Sequence, residues 1–196
     1  MSYRATMTAE KTDIDALLLD AIRLHSAGAV GRAEELYRAV LKQQRNHPDA
    51  LHMLGVIAFQ RGDAQAGIRM VERSLAVRPD FADAQNNLAG MYLHTGKTDK
   101  AQALAEHAIM NQPDFPAAYR TRATAQLRQR DFEGAAESFA RMSAIDPENT
   151  SYFNEWAVAL LNLGRYPEAE AMFARVLEIN PGNADARCYM AQAIKR

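Results

Sequence analysis

An all-α solenoid of five helix pairs, closed by a C-terminal capping helix, is the fold class this sequence predicts. Three series of residues predict it. Small residues stand at Ala21, Gly55, Ala89, Ala123, Ala157 and Ala191, and again at Ala33, Gly67, Ala101, Ala135 and Ala169. Prolines stand at Pro79, Pro113, Pro147 and Pro181, with Arg45 in the same slot one repeat earlier. All three series keep a period of 34 residues without an insertion, which marks stacked helix pairs.

Counting back from the small residues gives repeats at 14–47, 48–81, 82–115, 116–149 and 150–183. A sixth begins at Ala184 and stops after one helix, so 184–196 is expected to cap the open end, with Lys195 and Arg196 as a polar finish. Residues 1–13 are polar and lie ahead of the first repeat, as a mobile or short helical extension. The third repeat shows the internal pattern. Ala82 to His94 carries Leu88, Ala89, Met91 and Tyr92 toward one side, and Gly96 ends that helix in a slot that tolerates a left-handed residue. Asp99 to Asn111 then carries Ala101, Leu104, Ala105, Ala108 and Ile109 at spacings of a helical apolar face. Pro113 closes the pair. Gly28, Gly62 and Gly164 share the slot of Gly96, whereas the fourth repeat has Arg130 there.

Two helices that cross at close range need residues without bulk at the crossing, and the two small series supply them. Tyr37, Val71, Phe139 and Phe173 are the large residues expected to fill the space beside them. A Leu at Ala101 or Ala135 would overpack the crossing at a cost of about 1–3 kcal/mol. No pair buries its apolar face alone, so neighbours must stack.

The bulk composition narrows the function. Lys and Arg (23) nearly balance Asp and Glu (24) over 196 residues, against a whole-surface grip on nucleic acid or on an anionic membrane. The opening MSYRATMTAEKTDID has no apolar leader core, and no later run is long enough to cross a bilayer. The cytoplasm is the expected compartment. The single Cys188 excludes an intrachain disulfide and a multi-cysteine metal site, and is read as an inert residue on the last helix. His25, His47, His52, His94 and His107 have no metal-ligand spacing, and no glycine-rich phosphate loop or nucleophile–base constellation appears. No enzyme chemistry, cofactor or metal is expected.

These residues resemble the tetratricopeptide repeat (TPR) family, a 34-residue helix–turn–helix with a Leu–Gly pair, a downstream aromatic, a turn Gly, an Ala in the second helix and a terminal Pro. Leu54–Gly55, Leu88–Ala89, Tyr92, Gly96, Ala101 and Pro113 match, as do Ala157, Gly164, Tyr166, Ala169, Phe173 and Pro181. The resemblance runs over residues 14–196 and implies a right-handed superhelix whose first helices line a concave groove. Two repeats depart from it. The first has Asp20 and Arg45 where Leu and Pro are usual. The fourth has Arg122, Gln126 and Ser143 where its neighbours carry Leu, Tyr and Leu or Ile. That polar set reads either as a snorkelling Arg122 paired with a carboxylate or as a polar pocket in the groove wall.

By the same resemblance, residues four apart on the first helices form stripes across the groove: His52–Val56–Gln60, Asn86–Gly90–His94, Arg120–Thr124–Arg128 and Asn154–Val158–Asn162. Asn87 is expected to reach it too. Asn pairs with peptide backbone, and Arg holds a carboxylate with two parallel hydrogen bonds. The partner-binding residues are therefore taken as His52, Gln60, Asn86, Asn87, His94, Arg120, Thr124, Arg128, Asn154 and Asn162, and the partner as a protein or peptide segment, extended and acidic or carboxylate-bearing. Two specialised family modes fail residue by residue. The carboxylate clamp of chaperone adaptors needs Lys and Asn at His52 and Val56, and Lys and Arg at Ala117 and Thr121. The Asn ladder of the protein O-GlcNAc transferases is broken by Met53, Thr121 and Glu155. The functional reading is a non-enzymatic scaffold or adaptor. Two others stay open: the N-terminal region of a larger enzyme of glycosyltransferase, sulfotransferase or methyltransferase type, and a self-assembling scaffold. The Ala- and Arg-rich style is bacterial.

Overall fold

The computed structural model describes residues 2–194, with side chains from 14 to 191; Lys195 and Arg196, the expected polar finish, lie outside the described residues. Eleven helices follow one another among the described residues: α1 (Ser2–Ser26), α2 (Val30–Gln43), α3 (Pro48–Gln60), α4 (Ala64–Val77), α5 (Ala82–His94), α6 (Thr98–Asn111), α7 (Pro116–Gln129), α8 (Phe132–Ile145), α9 (Phe153–Asn162), α10 (Tyr166–Ile179) and α11 (Ala184–Ile194). They divide into two compact units, Met1–Met91 and Tyr92–Arg196.

The turns follow from local chemistry. Gly28, Gly62, Gly96 and Gly164 end first helices with φ between 73° and 94°, the left-handed region that a Cβ disfavours. Arg130 takes the same conformation, at φ 64°, without being glycine. Second helices end on an extended residue just ahead of each proline: Arg78, Gln112, Asp146 and Asn180 all have φ between −141° and −130°. A proline ring forces that choice on its predecessor. Gln44 adopts it as well, at φ −128° and ψ 90°, although Arg45 follows it. Asp63 and Asp131 cap α4 and α8 by accepting from Ala66 N at 2.9 Å and Gly134 N at 3.0 Å.

Two helices differ from the simple repeat. The polar residues ahead of position 14 belong to α1, which runs unbroken from Ser2 because no Gly or Pro interrupts it before Gly28. Helix α9 starts only at Phe153. The Asn149 side chain accepts from Ser151 N at 3.2 Å and from Ser151 Oγ at 2.8 Å, a local turn that competes with the helix and delays it by three residues relative to the repeat start at 150.

In the first unit Ala21, Ala33, Tyr37, Val40, Ala50, Leu54 and Ile57 form one core. Within it α3 and α4 approach closely. A Cβ on Gly55 would lie 2.9 Å from Gly67 O, and one on Gly67 would lie 2.7 Å from Gly55 O. The two backbones touch, as the paired small residues predict. In the second unit Ala123, Ala135, Ala157 and Ala169 are fully buried with Phe139 and Phe173 beside them. Tyr152 stacks on Phe139 with centroids 5.7 Å apart and meets Phe153 edge-on at 5.2 Å. Rings so arranged add attraction beyond the area they bury.

Candidate partner-binding face

The first helices carry the residues proposed from sequence, and each unit is taken by itself. In the first unit, His52 of α3 does not lie open to solvent: it is 4 % exposed. Its Nε2 lies within hydrogen-bond distance of Asn87 Nδ2 on α5, at 2.7 Å, and its ring meets the edge of Phe81 at 4.9 Å. The Arg78 guanidinium sits 3.6 Å over the other ring partner, Phe81, and binds Asp49 at 2.7 Å. Burial pushes the His52 imidazole below its ordinary value of 6.5; Asp83 and Asp49 pull it back up and Arg78 pushes it further down. Asn86 and Asn87 are half-buried and Gln60 is exposed.

In the second unit, Arg120 and Arg128 of α7 are both exposed, as is His94 at the end of α5. Arg128 is engaged with its own chain: a guanidinium N–H donates to the Leu93 carbonyl in the last turn of α5, where a cation also meets the negative end of the helix dipole. Beside it, Gln129 Nε2 donates to Asp99 Oδ1 at 2.8 Å. The Thr124 hydroxyl donates to the Arg120 carbonyl at 2.9 Å, and Asn162 Nδ2 donates to the Val158 carbonyl at 2.8 Å. Both side chains therefore fold back on their own helices. Asn154 is half-buried, and its Oδ1 is buried without a hydrogen-bond partner. It lines a cavity of about 190 Å³ with Thr150, Ser151, Val176, Ile179, Asn180 and Asn183, at the start of α9 and the turn between α10 and α11. A water there would satisfy the orphaned oxygen. Of that lining only Asn154 stands on a first-helix stripe; Val176 and Ile179 are on the second helix α10, and Thr150, Ser151, Asn180 and Asn183 sit in turns that helical periodicity does not read.

Two of the three polar departures of the fourth repeat, Arg122 and Gln126, are joined through Ser138; Ser143 is not part of that network. Arg122 Nε donates to Ser138 Oγ at 2.9 Å, and the Ser138 hydroxyl is within 2.7 Å of Gln126 Oε1 and 2.9 Å of the Gly134 carbonyl. Arg122 pairs with a hydroxyl rather than with a carboxylate, and its guanidinium lies 5.3 Å from the Tyr119 ring centroid. Gln126 is 7 % exposed and Ser138 fully buried. The set is an internal network between α7 and α8, closed by its own hydrogen bonds instead of opening as a pocket.

Cys188 is exposed on α11. Among the described residues no group of three or more His, Cys, Asp or Glu could hold a metal ion, and no helix is long and apolar enough to cross a membrane.

Helix pairs with paired small residues at the crossing and left-handed turn residues define a helical-repeat protein. The tetratricopeptide repeat models match residues 21–69, 58–127 and 126–194, and the chain belongs to that family. No curated protein matches it. Among solved structures it is similar to PilF of Pseudomonas aeruginosa, at a TM-score of 0.77 and 16 % identity over 94 % of this chain and 91 % of that one. It is similar to YrrB, described as a TPR protein with an unusual peptide-binding site, at a TM-score of 0.73 and 17 % identity over 95 % and 96 %. It is likewise similar to MamA from Desulfovibrio magneticus RS-1, at a TM-score of 0.73 and 18 % identity over 87 % and 97 %. At these identities the likeness is one of fold.

Proposed function

We propose that this chain is a non-enzymatic scaffold or adaptor that holds an extended segment of a partner protein on the polar faces of its first helices. The observation that carries the reading is the exposed Arg120 on α7, on a helix whose other stripe members, Thr124 and Arg128, are tied to the backbone. A fixed stripe leaves one guanidinium to meet a carboxylate, and a rigid frame lowers the entropy lost on binding. The match to the tetratricopeptide repeat family supports a peptide or protein partner, and YrrB is one relative in fold described with a peptide-binding site. In this reading Arg120 of the second unit is the acidic-group contact with Asn154 as a contact to peptide backbone, and in the first unit, taken by itself, Asn86 and Asn87 are backbone contacts.

Fluorescence anisotropy with a fluorescein-labelled acidic decapeptide, and with a basic decapeptide as counterpart, tests it. Arg120→Ala is expected to weaken the acidic probe about tenfold, the value of one charge-assisted hydrogen bond. Arg128→Ala is a poor probe because it frees the Leu93 carbonyl. Equal affinity of wild type and Arg120→Ala, or preference for the basic probe, refutes the arginine contact.

A further inference from the structure

The buried contact between His52 and Asn87 joins a titratable ring to an amide on the partner-binding face. Neutral imidazole has one donor and one acceptor. Asn87 Nδ2 stands 2.7 Å from Nε2, an arrangement that pairs donor with acceptor when Nε2 is bare and the ring proton is on Nδ1. One N–H of the amide is thereby turned inward, and Oδ1 keeps its acceptor capacity for another group. Protonated imidazole has two donors and no acceptor. Its Nε2–H would then face the Asn87 NH2, donor against donor, and the least costly relief is for the amide to turn over so that Oδ1 accepts from the ring.

We propose that His52 is a positioning residue for Asn87: the neutral ring leaves Asn87 Oδ1 to accept from a partner's backbone N–H, and the protonated ring turns the amide so that its NH2 is offered to a partner's carbonyl or carboxylate. The ring itself is too buried to touch a partner, being 4 % exposed. It is clamped by the Phe81 edge at 4.9 Å, and Phe81 is covered in turn by Arg78 at 3.6 Å. A clamped ring cannot swing away from the conflict, so the amide must answer it. The charged groups around the ring come from three elements: Asp49 on α3, Asp83 on α5 and Arg78 at the end of α4. Asp49 is already engaged by Arg78 at 2.7 Å, which moderates its pull on the imidazole. Burial keeps the ring neutral near neutral pH, so the acceptor state of Asn87 is the resting one.

The inference rests on Asn87 facing a partner, yet its test does not need one. NMR of the full chain labelled with ¹⁵N reports the His52 tautomer from its ring nitrogens and the Asn87 amide from its side-chain NH2. Near pH 7.5 the expected signature is an unprotonated Nε2 with the proton on Nδ1. On acidification the Asn87 side-chain resonances should move with the midpoint of His52 itself. In His52→Gln, which offers a carbonyl acceptor at every pH, that movement should vanish. A neutral ring protonated on Nε2, or an Asn87 amide indifferent to the His52 midpoint, overturns the proposal. A second arm measures an uncharged, end-blocked alanine–serine decapeptide by anisotropy on both sides of the midpoint. A peptide held in one register presents Asn87 with either an N–H or a carbonyl, so only one amide orientation matches it, and its affinity should change about fivefold in wild type and stay level in His52→Gln. If the amide turns over with His52 and no peptide binds in either state, the groove reading falls while the switch stands.

Discussion

Replacing Gly67 by Ala puts one methyl group where two helices have no room for it. Its Cβ would lie 2.7 Å from Gly55 O, 2.8 Å from Phe59 Cβ and 3.0 Å from Phe59 N, so two of the three obstacles are backbone atoms of α3 that no side-chain rotation can clear. The helices must separate by a few tenths of an ångström, and the packing of Val71 and Ile57 loosens with them. Overpacking of this kind costs about 1–3 kcal/mol. Ala is a better helix former than Gly by about 1 kcal/mol, which offsets part of the loss. The expected net effect is a destabilisation of up to about 2 kcal/mol. Gly90 supplies the control: it is exposed in α5 and a Cβ there meets nothing within 4 Å, so Gly90→Ala should stabilise by about 0.5–1 kcal/mol. Urea unfolding followed by far-ultraviolet circular dichroism gives both midpoints. The same substitution should move them apart. A Gly67→Ala protein stabilised as Gly90→Ala is would refute the close-crossing argument.

Other substitutions test other parts of the fold. Arg130→Gly should stabilise by about 0.5–1 kcal/mol, because a left-handed φ of 64° costs an L-residue roughly 1–2 kcal/mol and the added freedom of glycine in the unfolded chain returns part of it; a lowered urea midpoint would contradict this. Ser138→Ala strips Gln126 Oε1 of its donor and Arg122 Nε of its acceptor, and should cost about 1–3 kcal/mol, whereas an unchanged midpoint would mean that the network is not stabilising. The His52 imidazole sits below 6.5 in the fold, so the unfolded chain takes up its proton first as pH falls. Its contribution is therefore fully present above 6.5 and is lost progressively toward the lower folded value. Urea midpoints near pH 7.5 and pH 5.5 should fall more for wild type than for His52→Gln, and equal falls would show that His52 is not the linked group.

The architecture was legible because it is written in residues that must be small, bent or absent. Gly55 and Gly67 leave no other reading than a close crossing, and Gly96 marks the end of α5 at His94 to the residue. The late start of α9 was less visible, since three consecutive polar residues give no helical periodicity to miss and the Asn149 turn that replaces it is made by side chains. The candidate face was legible only as a pattern of positions. Spacing put His52 on a polar stripe, but the stripe does not say that Phe81 and Asn87 close over it. The charge and position of Arg128 predict a ligand contact, yet a long side chain reaches a carbonyl 35 residues earlier as readily as it reaches a partner. Repeat four was visible as a departure through Arg122 and Gln126. Its resolution depended on Ser138, an unremarked serine one helix away.

The side-chain ties described, within a helix pair or between neighbouring pairs, are short in sequence. Ser74 reaches Pro48 across 26 residues, Arg78 reaches Asp49 across 29, and the longest, His52 to Asn87 and Arg128 to Leu93, span 35. A chain emerging from the ribosome at a handful of residues per second thus needs only about one further repeat before each pair finds the partner atoms that hold it. Loops of that length close at modest entropic cost, so assembly should be rapid and should proceed from the first-made end as synthesis advances.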